Sequence, residues 1–362
     1  MGQTLGAPVT IKDCGDGYDE KKSIAWGFSC MQGWRPTMED AHFALGSLEG
    51  EWTDTAAFGV MDGHGGTQVA LFCQRHLPAE ISRGASRDPH SALIAAFHKM
   101  DDMLWETGET DLQAFTDASA SRPGGRGGRS ADPKWMGCTA VVCLVRPSVI
   151  VVANAGDSRA VLSRGRQAVP LSEDHKPNLP GERDRIRRAG GSVARSQFGS
   201  TVQHRVNGNL NLSRSIGDLE YKKNPNLQPH EQMICSTPDV HTFRREAADE
   251  FILIACDGIW DVLGSQDAVD FVHERLGDYL QRGQPLSGIM AEMLDHCLSP
   301  DLGLTQGLGG DNMTAMLLVF GEAPTDHFIV EEGELLELDP AHVLEERAIA
   351  PASFCGCRPR ER

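Results

Sequence analysis

The chain lacks the features that mark membrane-spanning and secreted proteins. No apolar run in its 362 residues approaches the ~20 residues that a membrane-spanning helix requires. The N-terminus does not have the basic segment followed by an apolar one that a secretory signal has. None of the ten cysteines belongs to a Cys-x-x-Cys pair, and several of them lie in apolar runs. We therefore expect reduced thiols and a cytoplasmic location.

Positive charge is also scarce. The chain has only 34 Lys and Arg residues against 51 Asp and Glu residues, which gives a net charge of -17. Because nucleic-acid binding depends on clustered cations, this balance argues against a nucleic-acid partner. Hydrophobic residues make up 40% of the chain and charged residues 23%, which is typical of a soluble globular protein. The length allows two domains, but one large domain with tails fits equally well.

Two apolar runs end in the same way. Residues 58–61 lead into Asp62-Gly63-His64, and residues 251–256 lead into Asp257-Gly258. Each run predicts a buried strand, so each places a carboxylate at the end of a strand. A single Asp-Gly pair is typical of a tight turn in any fold. Two carboxylates at the rim of one core, however, would repel each other unless divalent cations lay between them. The pattern therefore predicts a metal site.

More acidic residues follow the same pattern. Most of them stand where a predicted strand begins or ends, often beside glycine, which lets the backbone approach closely. Gly63 offers a carbonyl oxygen as a further ligand. Because ligation by oxygen alone selects hard cations, we expect Mg²⁺ or Mn²⁺. The additional acids are Glu39, Asp40, Asp157, Asp261 and Asp311.

Strands and helices are predicted in separate batches, which indicates an α+β fold. Two apolar runs flank Arg146-Pro147-Ser148 and predict an antiparallel hairpin. Strands are predicted by β-branched content at 56–61, 139–145, 149–155, 251–256 and 314–320. Helices are predicted by periodicity and capping residues at 67–82, 91–106, 266–281 and 286–298.

Seven segments, in order, resemble the motifs of the metal-dependent serine/threonine protein phosphatases of type 2C. The resemblance covers essentially the whole folded unit. It implies an α+β fold in which two antiparallel β-sheets pack as a sandwich flanked by helices (α-β-β-α), within a single catalytic domain. The matching segments are Gln32–His42, Asp62–Gly66, Gly137–Ala140, Gly156–Arg159, Leu212–Asp218, Asp257–Asp261 and Asp311-Asn312.

The resemblance also implies the ligands of the metal site. Asp62 would bridge two cations of Mg²⁺ or Mn²⁺, and a third, weaker position would share Asp257. The other implied ligands are Glu39 and the Gly63 carbonyl on one cation, Asp257 and Asp311 on the second, and Asp157 and Asp261 at the third.

Three further residues have roles that the resemblance implies. Arg35 would bind the phosphate oxygens with its planar guanidinium group and so serve both catalysis and substrate binding. His64 would protonate the seryl or threonyl oxygen as it leaves, because the pKa of imidazole lies near the working pH. A histidine that merely orders the glycine turn is the alternative. Asp40 would lie behind the metal ligands and orient water or Arg35.

The implied function is the hydrolysis of phosphoserine and phosphothreonine in phosphoproteins by a metal-activated water. One alternative is a catalytically silent scaffold of the same fold that binds phosphoproteins. A two-metal nuclease is another, disfavoured by the net acidity. Cys138 is expected to be structural, because a covalent cysteine phosphatase would need a Cys-x5-Arg loop, which the sequence lacks.

The expected domain organisation has three parts. Residues 1–22 form an N-terminal tail, residues 23–321 the phosphatase domain, and residues 322–362 a C-terminal tail. Residues 107–133 form a flexible insertion poor in apolar side chains. Gly2 is a candidate for myristoylation, which alone would give weak, reversible membrane association. The charged segment 183–188 resembles the family's flap and is expected to be a solvated face. We expect a monomer.

Overall fold

Apolar runs rich in valine and isoleucine form most of the strands, because β-branched side chains fit a pleated sheet. The computed structural model describes residues 4–84, 87–107, 112, 133–198 and 201–321. The strands are β1 (Val9–Asp19), β2 (Ile24–Gly33), β3 (Ala41–Leu45), β4 (Ala56–Met61), β5 (Gly63–His64), β6 (Gly137–Cys138), β7 (Ala140–Val145), β8 (Val149–Ala155), β9 (Arg159–Arg164), β10 (Gln167–Pro170), β11 (Val193–Phe198), β12 (Thr201–Val206), β13 (Ile216–Gly217), β14 (Asp239–Arg244), β15 (Asp249–Ala255) and β16 (Met313–Phe320). The helices are α1 (Gln68–Arg83), α2 (Pro89–Glu106), α3 (Pro180–Arg188), α4 (Asp257–Trp260), α5 (Ser265–Gln281) and α6 (Ser287–Cys297).

Two antiparallel sheets form the centre of the fold. One has six strands in the order β1-β2-β16-β15-β9-β10, and the other has five in the order β14-β8-β7-β4-β3. The hairpin predicted around Pro147 is confirmed, since β7 pairs with β8 and Val145 lies opposite Ile150. The predicted α+β class, with two antiparallel sheets, is therefore confirmed.

An apolar core fills the space between the two sheets. Phe58 and Val60 from β4 pack in the same cluster as Ile252 and Ile254 from β15, and all four are completely buried. Their spacing of two residues follows from the alternation of side chains along a strand. Burial of side chains of this size stabilises the fold by about 1.5–3 kcal/mol each. The core thereby fixes the two sheets on one another.

Helices cover the outer faces of both sheets. Met61 points to the outer face of the five-stranded sheet, where it joins the cluster that includes Leu77 of α1 and Phe97 of α2. Leu253 joins the corresponding cluster with α5 and α6 on the six-stranded sheet, which includes Met290. The layers therefore follow the order α-β-β-α, as expected. Among the described residues, no helix combines the length and the apolar character needed to cross a bilayer.

A small third sheet lies beside the main ones and carries His64. Its three short strands have the order β13-β6-β5. Gly137 of β6 lies opposite His64 on one side and Gly217 on the other. The neighbouring Cys138 is completely buried, and its Sγ lies 3.7 Å from Cys73 Sγ on α1. This sheet brings together three segments that are far apart in the sequence.

The expected N-terminal tail is wrong for residues 9–19. These residues form β1, which pairs with β2 at the edge of the six-stranded sheet. Glycine and acidic residues interrupt the segment and conceal its strand character in the sequence. Lys12 and Asp16 attach it to α6 through Asp295 and Ser287, respectively. Gly2, most of the 107–133 insertion and residues 322–362 lie outside the described residues, so the expectations for them stay predictions.

Candidate metal centre and active site

The ends of two strands from different sheets bring Asp62 and Asp257 to one place. Asp62 follows β4 of the five-stranded sheet, and Asp257 follows β15 of the six-stranded sheet. Both carboxylates line one cavity of about 330 Å³, together with Glu39, Asp157 and Asp311. Five acidic residues predicted from the sequence therefore meet at a single cavity. This is the arrangement expected for a site that binds divalent cations.

The predicted ligand Asp261 stands apart from this group. It is exposed, and its N–H donates to the Asp257 carbonyl over 2.8 Å at the end of α4. It is not among the residues that line the cavity. Its charge nevertheless reaches the centre, since it raises the pKa of Asp257. Asp261 therefore lies outside the group of acids that lines the cavity.

Burial and mutual repulsion act on the acids at the centre. Burial is the largest cause that raises the pKa of Asp62 well above its ordinary value, and the charge of Asp257 adds to it. The pKa of Asp257 is raised well above its ordinary value by burial and by Asp157. Carboxylates held so close are stabilised in their charged form by cations placed between them. The donor set thus fits the Mg²⁺ or Mn²⁺ that the sequence predicts.

A thiol lies among these oxygen ligands. One ligand atom from each of Asp40, Asp62 and Cys256 lies within 4.8 Å of the others. Burial raises the pKa of the Cys256 thiol well above its usual value. The Cys256 Sγ already donates to the Asn312 carbonyl and accepts from the Thr314 N–H, and Mg²⁺ and Mn²⁺ prefer oxygen ligands to sulfur. The donors of the site remain hard oxygens.

Asp40 lies in the interior behind the cavity. Its Oδ2 accepts a hydrogen bond of 2.7 Å from Thr314 Oγ1 on β16. Its Oδ1 is buried and makes no hydrogen bond of ordinary geometry within the described residues. Burial raises the pKa of Asp40 to about 7. A buried carboxylate oxygen with spare acceptor capacity beside metal ligands suits the ordering of a ligand water.

Two close backbone contacts explain why glycine follows the acids. A Cβ on Gly63 would overlap the Glu39 carbonyl oxygen, and a Cβ on Gly258 would overlap the Asn312 carbonyl oxygen. Glycine at both places lets the segments that carry the acids pack directly on one another. Asn312, whose role was not apparent from the sequence, accepts from the Glu39 N–H over 2.9 Å. Its amide also donates to the carbonyls of Gln32 and Thr37. Asn312 thereby holds the loop that carries Glu39.

Arg35 supplies positive charge at the wall of the cavity. Its guanidinium group donates to Asp311 Oδ2, and its side chain is 43% exposed. Burial alone would lower the pKa of Arg35, but the charges of Asp311, Asp62 and Asp257 raise it. The cation therefore remains charged beside the acids. Its exposed remainder is available to an anionic substrate.

His64 also lines the cavity and has a buried acidic partner. Its Nε2 lies 2.7 Å from Asp218 Oδ2. Burial would lower the pKa of His64, but its contact with Asp218 and the charges of Glu39 and Asp157 together raise it. The imidazole is thus kept in a state that can donate a proton. In the sequence, Asp218 belongs to one of the matching motifs, but nothing there indicates its role.

A second unpredicted partner is Lys176, whose ammonium group donates to Asp157 Oδ2. The Asp157 side chain is only 1% exposed. Burial would lower the pKa of Lys176, but Asp157, Asp257 and Asp261 together raise it. One permanent cation therefore already lies beside the acids proposed for the third metal position.

The expectation that segment 183–188 is a solvated face is wrong for part of it. Arg187 and Arg188 are exposed, but Arg185 is buried on α3. Arg185 donates to Glu182 Oε2 over 2.8 Å and to the Gln232 carbonyl over 3.1 Å. Arg214 contacts the same Glu182 carboxylate, at 2.9 Å. Glu182 and Arg185 of α3 therefore belong to an internal ion network, whereas Arg187 and Arg188 face solvent.

Comparison with known proteins gives a consistent result. A model of the protein phosphatase 2C family matches residues 24–302. The chain is 40% identical to Probable protein phosphatase 2C 11 of Oryza sativa subsp. japonica, over 92% of this chain and 95% of that protein. It is 43% identical to Probable protein phosphatase 2C 58 of the same species, over 88% of this chain and 89% of that protein.

A solved structure shares the fold. The phosphatase from a pathogenic strain of Toxoplasma gondii superposes with a TM-score of 0.65 at 23% identity, covering 86% of this chain and 96% of that one. The family model matches most of the chain, and the identity is 40% over nearly its full length, so the likeness goes further than a shared fold. The chain therefore belongs to the protein phosphatase 2C family and is a protein serine/threonine phosphatase.

Proposed function

We propose that the protein hydrolyses phosphoserine and phosphothreonine monoesters in phosphoproteins by direct attack of water at a binuclear Mg²⁺ or Mn²⁺ centre, without a phosphoenzyme. The observation that carries this proposal is the meeting of five acidic residues with Arg35 and His64 at one cavity. The acids suit cations, the arginine suits a phosphoryl group, and the histidine suits a leaving oxygen. The family is metal-dependent, which supports the same reading.

The acids would divide between two inner cations and an outer one. Asp62 would bridge the inner pair, because it lies at the centre of the acids that perturb one another. Glu39 and the Gly63 carbonyl would complete one inner site, and Asp257 and Asp311 the other. Asp157 and Asp261 would contribute to the outer position. Bound cations would lower the pKa of a shared water and orient it for in-line attack on phosphorus.

Two side chains of the chain would act on the substrate itself. Arg35 would bind non-bridging phosphate oxygens through its planar donors and hold the phosphoryl group against the acids. His64 would donate a proton to the seryl or threonyl oxygen as its bond to phosphorus breaks, a contribution of about 10²–10⁴-fold. Asp40 would stay out of contact with substrate and orient water through its free oxygen.

The test is phosphate release from a phosphothreonine peptide with and without Mn²⁺. We expect release that depends on Mn²⁺ and is lost in Asp62→Asn, whereas Asp102→Asn, on the exposed face of α2, retains it. A silent scaffold would bind the phosphopeptide without releasing phosphate. A nuclease would cleave DNA or RNA under the same conditions and leave the peptide intact. Either of these two outcomes would overturn the proposal.

A further inference from the structure

His64 and Asp218 form a pair that is closed off from solvent on the aspartate side. His64 Nε2 lies 2.7 Å from Asp218 Oδ2. The Asp218 side chain is 2% exposed and that of His64 24% exposed. Asp218 does not line the cavity, so it reaches substrate only through the imidazole ring. Asp218 is therefore placed to hold the His64 ring without lining the cavity itself.

The backbone at Asp218 is held in an uncommon conformation. Its φ is +50°, in the left-handed region that few residues other than glycine adopt without cost. The Asp218 N–H donates to the Met136 carbonyl over 2.7 Å. Ser215 Oγ donates to the same Oδ2 that contacts His64, over 2.5 Å. A backbone conformation of this kind persists only where surrounding contacts hold it in place. It directs the Asp218 carboxylate toward the imidazole ring of His64.

The strand between the two residues leaves room for their contact. Gly137 of β6 lies opposite His64 of β5 and pairs with Gly217 of β13, the residue before Asp218. A Cβ on Gly137 would lie 2.8 Å from His64 Nε2 and closer still to Asp218 Oδ2. Only glycine at this position of β6 leaves space for the hydrogen bond between His64 and Asp218.

Helix α2 fixes the loop that carries Asp218. Asp101 Oδ1 accepts from the Gly217 N–H over 2.8 Å, and its Oδ2 accepts from Lys222 Nζ over 2.6 Å. Lys222 Nζ also donates to the Ser215 carbonyl over 2.8 Å. The residues on either side of Asp218 are therefore tied to one buried ion pair. A side chain needed only for packing would not require this support.

We propose that Asp218 is a positioning residue that holds the imidazole of His64 with Nε2–H directed at its carboxylate, so that Nδ1 is the nitrogen that gives the proton to the leaving oxygen. This inference rests on the proposed role of His64 as the general acid. When the ester bond breaks, its electron pair stays on the seryl or threonyl oxygen, and that oxygen takes the Nδ1 proton. The ring becomes neutral with its Nε2 proton in place, and Asp218 remains ionised throughout. A buried carboxylate that orients a catalytic imidazole acts in this way.

The leaving group separates this role from a merely structural one. p-Nitrophenolate leaves without protonation, whereas the threonyl oxygen requires a proton. Asp218→Asn keeps the shape of the side chain, and asparagine also tolerates a positive φ. We expect kcat of Asp218→Asn to fall by about 10–100-fold on a phosphothreonine peptide and by less than about threefold on p-nitrophenyl phosphate. Asp102→Asn is the matched control on α2 and should change neither rate.

The variant is compared with His64→Ala in a double-mutant cycle. If Asp218 acts through His64, adding Asp218→Asn to His64→Ala lowers kcat on the peptide no further. Equal losses on both substrates, additive effects of the two substitutions, or an unchanged rate on the peptide would each refute the positioning role. Failure of the wild-type protein to release phosphate from either substrate would instead refute the proposed function itself.

A measurement on the wild-type protein keeps the inference testable even if Asp218→Asn does not fold. Nitrogen-15 NMR of histidine-labelled protein with Mg²⁺ reports which ring nitrogen carries a proton, and His64→Ala identifies the resonance. We expect a protonated Nε2 whose hydrogen shows the downfield shift of a short hydrogen bond. A ring protonated at Nδ1 alone would contradict the proposal.

Discussion

Lys176 donates through its ammonium group to Asp157 Oδ2, near Asp257, which begins α4, and Asp261, which follows it. The pair joins a flexible, strongly hydrated cation to a carboxylate that is almost completely buried. Lys176 thereby partly neutralises the outer edge of the metal centre before any ion binds. A third cation bound at Asp157, as proposed, would compete with this ammonium group.

We expect Lys176→Met to increase the affinity of the outer site for Mn²⁺ several-fold, because the bound cation no longer competes with a fixed positive charge. The same substitution should lower the melting temperature of the metal-free protein, since Asp157 is left unpaired in the interior. Titration calorimetry with Mn²⁺ and melting curves with and without Mn²⁺ measure both effects. Lys21→Met, at an exposed position, is the control. Unchanged Mn²⁺ binding would show that Lys176 does not compete for the site.

Asp62, which lines the cavity, and Asp261, which does not, should differ in importance. Asp62→Asn removes the central carboxylate, and we expect activity to fall by more than about 100-fold, beyond the loss typical of a residue outside the ligand shell. Asp261→Asn alters an exposed side chain, and we expect a loss of less than about tenfold. Steady-state rates at increasing Mn²⁺ concentration distinguish the two. Equal losses of activity and of metal affinity would contradict this division of roles.

Arg35 offers a test of substrate binding. Its guanidinium group already uses one side on Asp311, so a phosphoryl group would be bound by the remaining donors. Arg35→Lys keeps the charge but loses the planar pair of donors, and we expect KM for a phosphothreonine peptide to rise about tenfold. Arg35→Met should raise it further. A KM that is unchanged in both variants would show that Arg35 serves only to hold Asp311.

His42 predicts a pH dependence of stability away from the centre. Its ring packs on Phe28 with centroids 4.0 Å apart, and its Nδ1 lies 3.3 Å from Cys30 Sγ. Burial lowers the pKa of His42 from 6.5 to about 4. Between these pH values the unfolded chain binds a proton that the folded chain does not, so stability falls as the pH drops through this window.

We expect His42 to account for a loss of about 1–3 kcal/mol in the free energy of unfolding between pH 7 and pH 4. His42→Gln should remove that part of the pH dependence. Urea denaturation at a series of pH values measures it, and His90→Gln, at an exposed position on α2, serves as the control. The same pH dependence in both variants would assign the effect to other groups.

The strands and the acidic residues were predictable because their signals are local. β4, β7, β8 and β15 are short apolar runs bounded by glycine or a turn, and the acids at their ends stand next to the run that places them. The helix predicted at 91–106 has Leu93, Phe97, Met100 and Leu104 on one face by spacing alone, and all four side chains are buried.

The partners of the site residues were not predictable in the same way. Asp218 reaches His64 across 154 positions of sequence, and it does so only because β6 carries glycine between them. Arg185 is buried because backbone carbonyls distant in sequence accept its hydrogen bonds, which no pattern within α3 reveals. β1 was missed because its residues alternate weakly between polar and apolar and include glycine. These features depend on tertiary packing rather than on local propensity.

Asp62 and Asp257 belong to different sheets, and this has a consequence for residues remote from the centre. The separation of their carboxylates is set by how one layer rests on the other, and that is decided by side chains such as Phe58 and Ile254 in the core between them. Cation affinity is therefore a property of the whole sandwich. A smaller side chain at Phe58 would leave a cavity that lets the two sheets shift relative to each other. Metal binding would then weaken, although no proposed ligand had been altered.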